Sequence, residues 1–141
     1  MHAPSTLELA SFVTVLRVTL HVLCATVWVG GQLVLAGLLS TVRGFGDGAP
    51  RAIARAFGRL SWPAYWLLLA TGIWNYLAID HQHASSAWNA VFGTKMLCVV
   101  VAGVGSYVHT KVTSPAARGA FAGVGTLASI AALALGVAIA G

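Results

Sequence analysis

Arg17-Val-Thr-Leu-His21-Val-Leu-Cys24-Ala-Thr-Val-Trp28-Val-Gly-Gly-Gln32 lies inside the first long apolar run of the chain, yet it carries a guanidinium, an imidazole, a thiol, an indole and an amide. Residues three or four apart share one face of a helix, so Arg17, His21, Cys24, Trp28 and Gln32 form a single stripe. Polar and ionisable groups inside a membrane segment are costly and turn toward a bundle interior or a water-filled cavity. The stretch therefore predicts a membrane helix and, with it, the place where a working site would lie.

Composition points the same way. Only 8% of the 141 residues are charged and 58% are hydrophobic, with a mean hydropathy of +0.85. Soluble domains carry about 25% charged residues, so this chain has too few to cover a globular surface. Lipid is its expected solvent, and one compact membrane domain its expected organisation. The net charge of +5 does not read as a nucleic-acid footprint, because four of the eight basic residues, Arg43, Arg51, Arg55 and Arg59, fall between the first two apolar runs. That pattern reads as an orientation signal or as contact with anionic headgroups, and no nucleic-acid partner is expected. Cys24 and Cys98 both sit in apolar runs and read as small hydrophobes rather than as a disulfide framework. The first apolar segment lacks a basic lead and a small-residue cleavage site, so it is expected to remain as a helix.

Four spans follow, at about 12–39, 60–79, 88–109 and 119–140, each near the roughly 20 residues that cross a bilayer. Ser5 and Glu8 fit a capping box that would start the first helix near Thr6. Gly44-Phe-Gly-Asp-Gly-Ala-Pro50 signals a turn. Arg51, Arg55 and Arg59 then suggest a short basic amphipathic lead-in on the membrane surface, which leaves Pro63 in the first turn of the second span, where a missing N–H costs little. Short connections predict an all-α, integral-membrane four-helix bundle of antiparallel, up-down-up-down helices. The first loop holds four arginines, the third holds Lys111 and Arg118, and the second holds neither lysine nor arginine. The positive-inside rule puts loops one and three in the cytoplasm, and both termini and the His81–His83 loop outside a bacterial-type inner membrane. In the fourth helix Ala128, Ala132, Gly136 and Ala140 repeat every four positions, with Gly119 and Gly123 continuing the theme. Such a face packs closely, within the bundle, against a second copy or against a membrane-protein partner.

With this orientation Arg17, His21, Cys24, Asn75, Lys95 and Cys98 share one layer below the outer surface. A purely structural reading lets Arg17 and Lys95 snorkel to the interface while His21 and Asn75 bond between helices. Two sharper readings compete with it. His21, Cys24 and Cys98 are soft enough to hold Cu(I), with His81 and His83 as an external loading point. Alternatively His21 is an axial ligand of haem b, and Arg17 and Lys95 pair with its propionates, which accounts better for the local positive charge. His109 marks the inner interface or relays protons. Trp28, deeper than the aromatic belt of Trp62, Trp74, Tyr76 and Trp88, adjoins Gly30-Gly31, where missing side chains permit close approach of a helix or a ligand. No nucleophile–base pair, phosphate loop or paired carboxylates occur, so no catalytic residue is assigned.

Leu20-His21-Val-Leu-Cys-Ala-Thr-Val-Trp28-Val-Gly30-Gly31 resembles the first conserved helix of the copper-resistance protein D (CopD) domain. Phe57-Gly-Arg59-Leu60, ahead of Thr71-Gly72, is similar to its next helix, and Phe92-Gly-Thr-Lys95 with His109 to its third. The resemblance spans roughly residues 17 to 112. It implies a four-helix membrane unit concerned with copper uptake, resistance or homeostasis, with His21, Trp28 and Lys95 as marked positions. His21, Trp28, Trp88 and Lys95 also resemble part of the pattern of HemJ-type protoporphyrinogen oxidases, which implies a haem b cofactor and an oxidoreductase. Copper handling through an outward-facing site centred on His21 is the leading expectation. The alternatives are a haem-b redox protein and a non-catalytic membrane assembly partner.

Overall fold

The structure, a computed structural model, describes residues 9–140. These form four long helices: α1, Phe12–Arg43; α2, Ala49–Leu77; α3, Ser86–Lys111; and α4, Pro115–Ala138. No strand occurs among the described residues. Three of the starts are capped by serines. Ser11 accepts from the Thr14 N–H, Ser85 from Trp88 and Ser114 from Ala117, each satisfying an otherwise orphaned first-turn donor. The expected cap at Ser5 and Glu8 lies outside the described residues; within them α1 begins at Phe12.

α1, α3 and α4 are long and apolar enough to cross a membrane. α2 is not in that group: Arg51, Arg55 and Arg59 occupy its first third, and the uncharged remainder, residues 60–77, is made less apolar by Ser61, Pro63, Asn75 and its tryptophans and tyrosines. These arginines do not form a separate lead-in: Ala49–Leu77 is one continuous helix of 29 residues. Pro63 is therefore interior and not in a first turn. Its missing N–H leaves the Arg59 carbonyl without the usual donor four residues on. Much of the helix surface is apolar and exposed, with Leu97 at 63% and Val137 at 70% of full exposure. Side chains of that kind are solvated by lipid and not by water.

One turn of α1, Thr26–Gly30, is π-helical. The Thr26 hydroxyl donates to the Val22 carbonyl at 2.9 Å, a back-bond that tends to bend a helix. The wider turn holds one extra residue, which rotates everything after it by about 100° relative to a regular helix. The Arg17–Gln32 stripe is thereby split. Its first half faces α2, with Arg17 at Asn75 and His21 at Thr71. Its second half reaches α4, with Trp28 and Gln32 both at Ser129.

Along α1 and α2 the contacts pair Arg17 with Asn75, His21 with Thr71, Trp28 with Tyr65 and Gly31 with Phe57, so numbers fall on one helix as they rise on the other. A Cβ on Gly31 would collide with the Phe57 ring, which identifies Gly31 as a helix-packing notch; one on Gly30 would meet only Thr26 of its own helix, at 3.9 Å. The core is small: Trp28, Val29 and Tyr65, flanked by Trp62, Leu68, Leu69 and Val99. The Tyr65 hydroxyl donates to the Val99 carbonyl at 3.0 Å and ties α2 to α3.

α3 and α4 make the most extensive helix contact. Ala102, Gly103 and Gly105 are buried on one side and Gly125, Ser129 and Ala132 on the other. Of the small-residue row expected on α4, Ala132 is buried, Ala128 and Gly136 are half-buried, and Gly119, Gly123 and Ala140 are exposed. A Cβ on Gly105 would sit 3.1 Å from the Gly125 backbone. Gly105→Val should therefore destabilise the protein by about 1–3 kcal/mol, as overpacking does. Gly119→Val, with open space around it, should be near neutral. Denaturation followed by circular dichroism in mild detergent compares the two.

Candidate functional site

The site is built from His21 outward. Thr71 on α2 donates its hydroxyl proton to its own helix, to the Leu67 carbonyl at 2.8 Å with Leu68 at 3.2 Å. Having one proton, the hydroxyl meets a third partner only as an acceptor. His21 Nδ1, 2.9 Å away, is then the donor, and the tautomer that follows from this network leaves the lone pair on Nε2. The ring is oriented by a neighbour and presents one basic nitrogen, the arrangement that prepares an imidazole to ligate or to accept a proton. Gly72 makes room for it, since a Cβ there would lie 3.4 Å from His21 Cε1.

Two cations flank this ring. Arg17 donates from Nη1 to the Asn75 carbonyl at 3.3 Å, in the last turn of α2, where helix carbonyls lack intrahelical donors and cations are favoured. Asn75 thus contributes its backbone to that contact. Lys95, on α3, is half-buried; its Nζ would be 3.3 Å from a Cβ on Gly136, so the bare glycine of α4 receives the ammonium.

The expected copper set is not assembled. Cys24 is buried and Cys98 half-buried, and both are free thiols. Among the described residues no three His, Cys, Asp or Glu side chains are grouped to hold a metal ion, so neither His21–Cys24–Cys98 nor a set with His81 and His83 forms a three-donor site. The physical reason is the choice of neighbours. α1 packs chiefly on α2, and α3 on α4, so matching depth alone does not group donors from α1 and α3.

Trp28 is likewise occupied by packing. It is 4% exposed, with ring centroids 4.5 Å from Tyr65 and 5.6 Å from Trp62. Its Nε1 donates to Ser129 at 3.0 Å. Gln32 adds a donor to Ser129 at 3.5 Å and accepts from Thr126 at 3.0 Å.

At the end of the molecule nearest Asn75, His81 is half-buried and His83 exposed. His81 lies 3.9 Å from the Tyr76 ring centroid and 5.8 Å from Trp88. Tyr76 and Trp88 each stack on Phe92. His81 and His83 share the wall of a cavity of about 330 Å³ with Asp80 and Ser85, and His81 Nε2 is buried without a hydrogen-bond partner. At the other end His109 Nδ1 donates to the Arg118 carbonyl at 2.8 Å.

Sequence reasoning gave no role to Thr71, which enters only within the Thr71-Gly72 resemblance, and passed over Thr126 and Ser129. Thr71 had a usable signal, since it lies in the α2 stretch level with His21. The other two are small hydroxyls in an Ala/Gly-rich helix, where they read as packing residues. Compared with known proteins, the chain matches no family model, no curated protein and no solved structure.

Thr71→Val removes the acceptor for Nδ1–H, and Thr71→Ser keeps it. In ¹⁵N spectra of labelled protein, neutral His21 should be in the Nδ1–H form in the parent and in Thr71→Ser. Thr71→Val should shift the population toward Nε2–H and lower stability by about 0.6–2 kcal/mol, the range for hydrogen bonds between membrane helices.

Proposed function

We propose that the protein is a four-span, antiparallel membrane bundle that binds haem b through His21 and serves a redox role. The observation that carries this reading is the single oriented imidazole: Nδ1 is held by Thr71, and Nε2 is left with its lone pair. Haem brings four nitrogen ligands of its own and asks the protein for one axial imidazole. A copper ion asks for several soft donors, and no group of three donors occurs among the described residues. Charge favours the same choice, because Lys95, half-buried on α3 against Gly136, repels a bare cation while suiting a propionate. Arg17, with guanidinium donors left beyond the one spent on Asn75, suits the second. When bound, haem b would supply one-electron chemistry; His21, oriented by Thr71, would hold it, and Lys95 and Arg17 would neutralise its carboxylates.

The copper reading rests on the resemblance of residues 17 to 112 to the CopD domain, and it stands below haem on donor count and charge. The four-span arrangement is supported by the falling and rising residue pairs of α1 and α2 and by the length of α2, which completes a fourth crossing. The arginine-rich first loop supports placing that loop and the third in the cytoplasm of a bacterial-type cell, with the His81–His83 loop outside.

Visible spectra and metal content of protein purified in mild detergent, after growth with haem precursor and with copper, test the proposal. A Soret band should be present in the parent, absent in His21→Ala, intact in His81→Ala, and several-fold weaker in haem affinity for Lys95→Gln. Stoichiometric copper with no Soret band would transfer support to the copper reading, and neither would leave a structural role. For topology, a thiol placed at Gly46 should be shielded from impermeant reagents in intact cells, and one at His83 should react.

A further inference from the structure

The sequence separates two basic clusters, Arg51 and Arg55 after the first turn and His109 to Arg118 around the third. The fold brings them to one place. Arg51 and Arg55 of α2, His109 and Thr110 of α3, and Arg118 of α4 line a single cavity of about 390 Å³. It lies far from His21: Arg55 precedes Thr71 by sixteen positions on α2, roughly 24 Å along a helix. Three guanidinium groups face it and no carboxylate is in its lining. The nearest acid in sequence, Asp47, belongs to the preceding loop and is outside the wall.

Such a wall has a specific electrostatic demand. Two of its cations, Arg51 and Arg55, sit one turn apart on the same helix face and repel each other. The third comes from the first turn of α4, whose N-terminal end adds positive partial charge. Arg118 is held in place, donating from Nη2 to the Val112 carbonyl at 3.1 Å while its own carbonyl takes the His109 Nδ1–H at 2.8 Å. Its guanidinium keeps further donors, and His109 keeps Nε2. Arg51, Arg55 and Arg118 are exposed to whatever enters. Planar guanidinium forks match tetrahedral oxyanions and bind them in pairs of hydrogen bonds. Basic pockets between membrane helices hold phosphorylated headgroups by this chemistry.

We propose that this cavity is a binding site for a phosphoryl oxyanion, gripped by Arg51, Arg55 and Arg118 together. The occupant is the phosphodiester of an anionic lipid headgroup or a free phosphate; both present the same oxygens to the three arginines. The site is independent of any chemistry at His21. Occupancy would tie the start of α2 to the α3–α4 turn, which otherwise have the cavity between them.

The full chain in mild detergent, mixed with equal amounts of phosphatidylglycerol and phosphatidylcholine, is read by native mass spectrometry, and inorganic phosphate is titrated separately against thermal unfolding. Preferential retention of phosphatidylglycerol supports the lipid source. A phosphate-dependent rise in the unfolding temperature without lipid preference supports the free anion. In either case Arg55→Gln and Arg118→Gln should each weaken the effect about fivefold, the value of one basic residue near an anionic surface. Arg55→Lys should lose less, and Arg43→Gln, outside the cavity, should lose nothing. Circular dichroism establishes that the variants keep the parent's helix content. Absence of both effects in the parent overturns the proposal, as does an equal loss in Arg43→Gln, which would mean diffuse surface charge and no defined site.

Discussion

The indole of Trp28 donates its N–H to Ser129 on α4 while its ring packs between Trp62 and Tyr65 on α2, and the arrangement of the helices depends on this three-way contact. In lipid, apolar side chains gain nothing from leaving water, so helices associate through close packing and a few hydrogen bonds. The described core has little else to offer: three buried hydrophobic residues joined by half-buried neighbours. Tyr65 extends the contact to α3 through the Val99 carbonyl, and a Cβ on Gly103 would collide with its hydroxyl. The π-helical turn at Thr26–Gly30 makes the arrangement possible. By rotating the second half of α1, it lets one helix present His21 to α2 and Trp28 to α4.

The same economy shapes the polar groups. Several buried or half-buried hydroxyls are spent on named partners: Thr71 on its own helix and on His21, Ser129 on Gly125 and Trp28, Thr126 on Gln32. Groups left with unused capacity are then informative. They include His21 Nε2, with Arg17 and Lys95 in the same layer, the buried His81 Nε2 in the loop between α2 and α3, and the guanidinium groups of the cavity at the other end. The cavity has three arginines and no carboxylate in its lining, so it is suited to an anionic group.

Much of this was legible in the residues. Hydropathy located the apolar runs, the turn at Gly44 to Pro50 ended the first helix, and His21 and Lys95 stood out as polar groups at comparable depth. What was not legible came from two local effects. A regular 3.6-residue repeat extends the Arg17–Gln32 stripe unbroken, and nothing in Thr26-Val-Trp-Val-Gly30 announces an extra residue in the turn. Pro63 reads as a helix start when the arginines before it are taken for a surface segment; the continuous α2 makes it interior instead. Gly31 offered room to a ligand or a helix, and the Phe57 ring settled which.

By itself the sequence determined the helical class, the apolar stretches, the uneven distribution of basic residues and the identity of the ionisable groups placed among apolar ones. These are properties of composition and order along the chain, and hydropathy reports them because lipid tolerates little else. Only the tertiary structure decided which helices are neighbours and how each is rotated. It brought Thr71 to His21, and it gathered arginines from two separate helices around one cavity. The reason is that lipid tails are nearly as apolar as the helix faces, so hydropathy does not choose between faces. That choice falls to glycine notches, one widened turn and a handful of hydroxyls, whose pairings exist only once the helices meet.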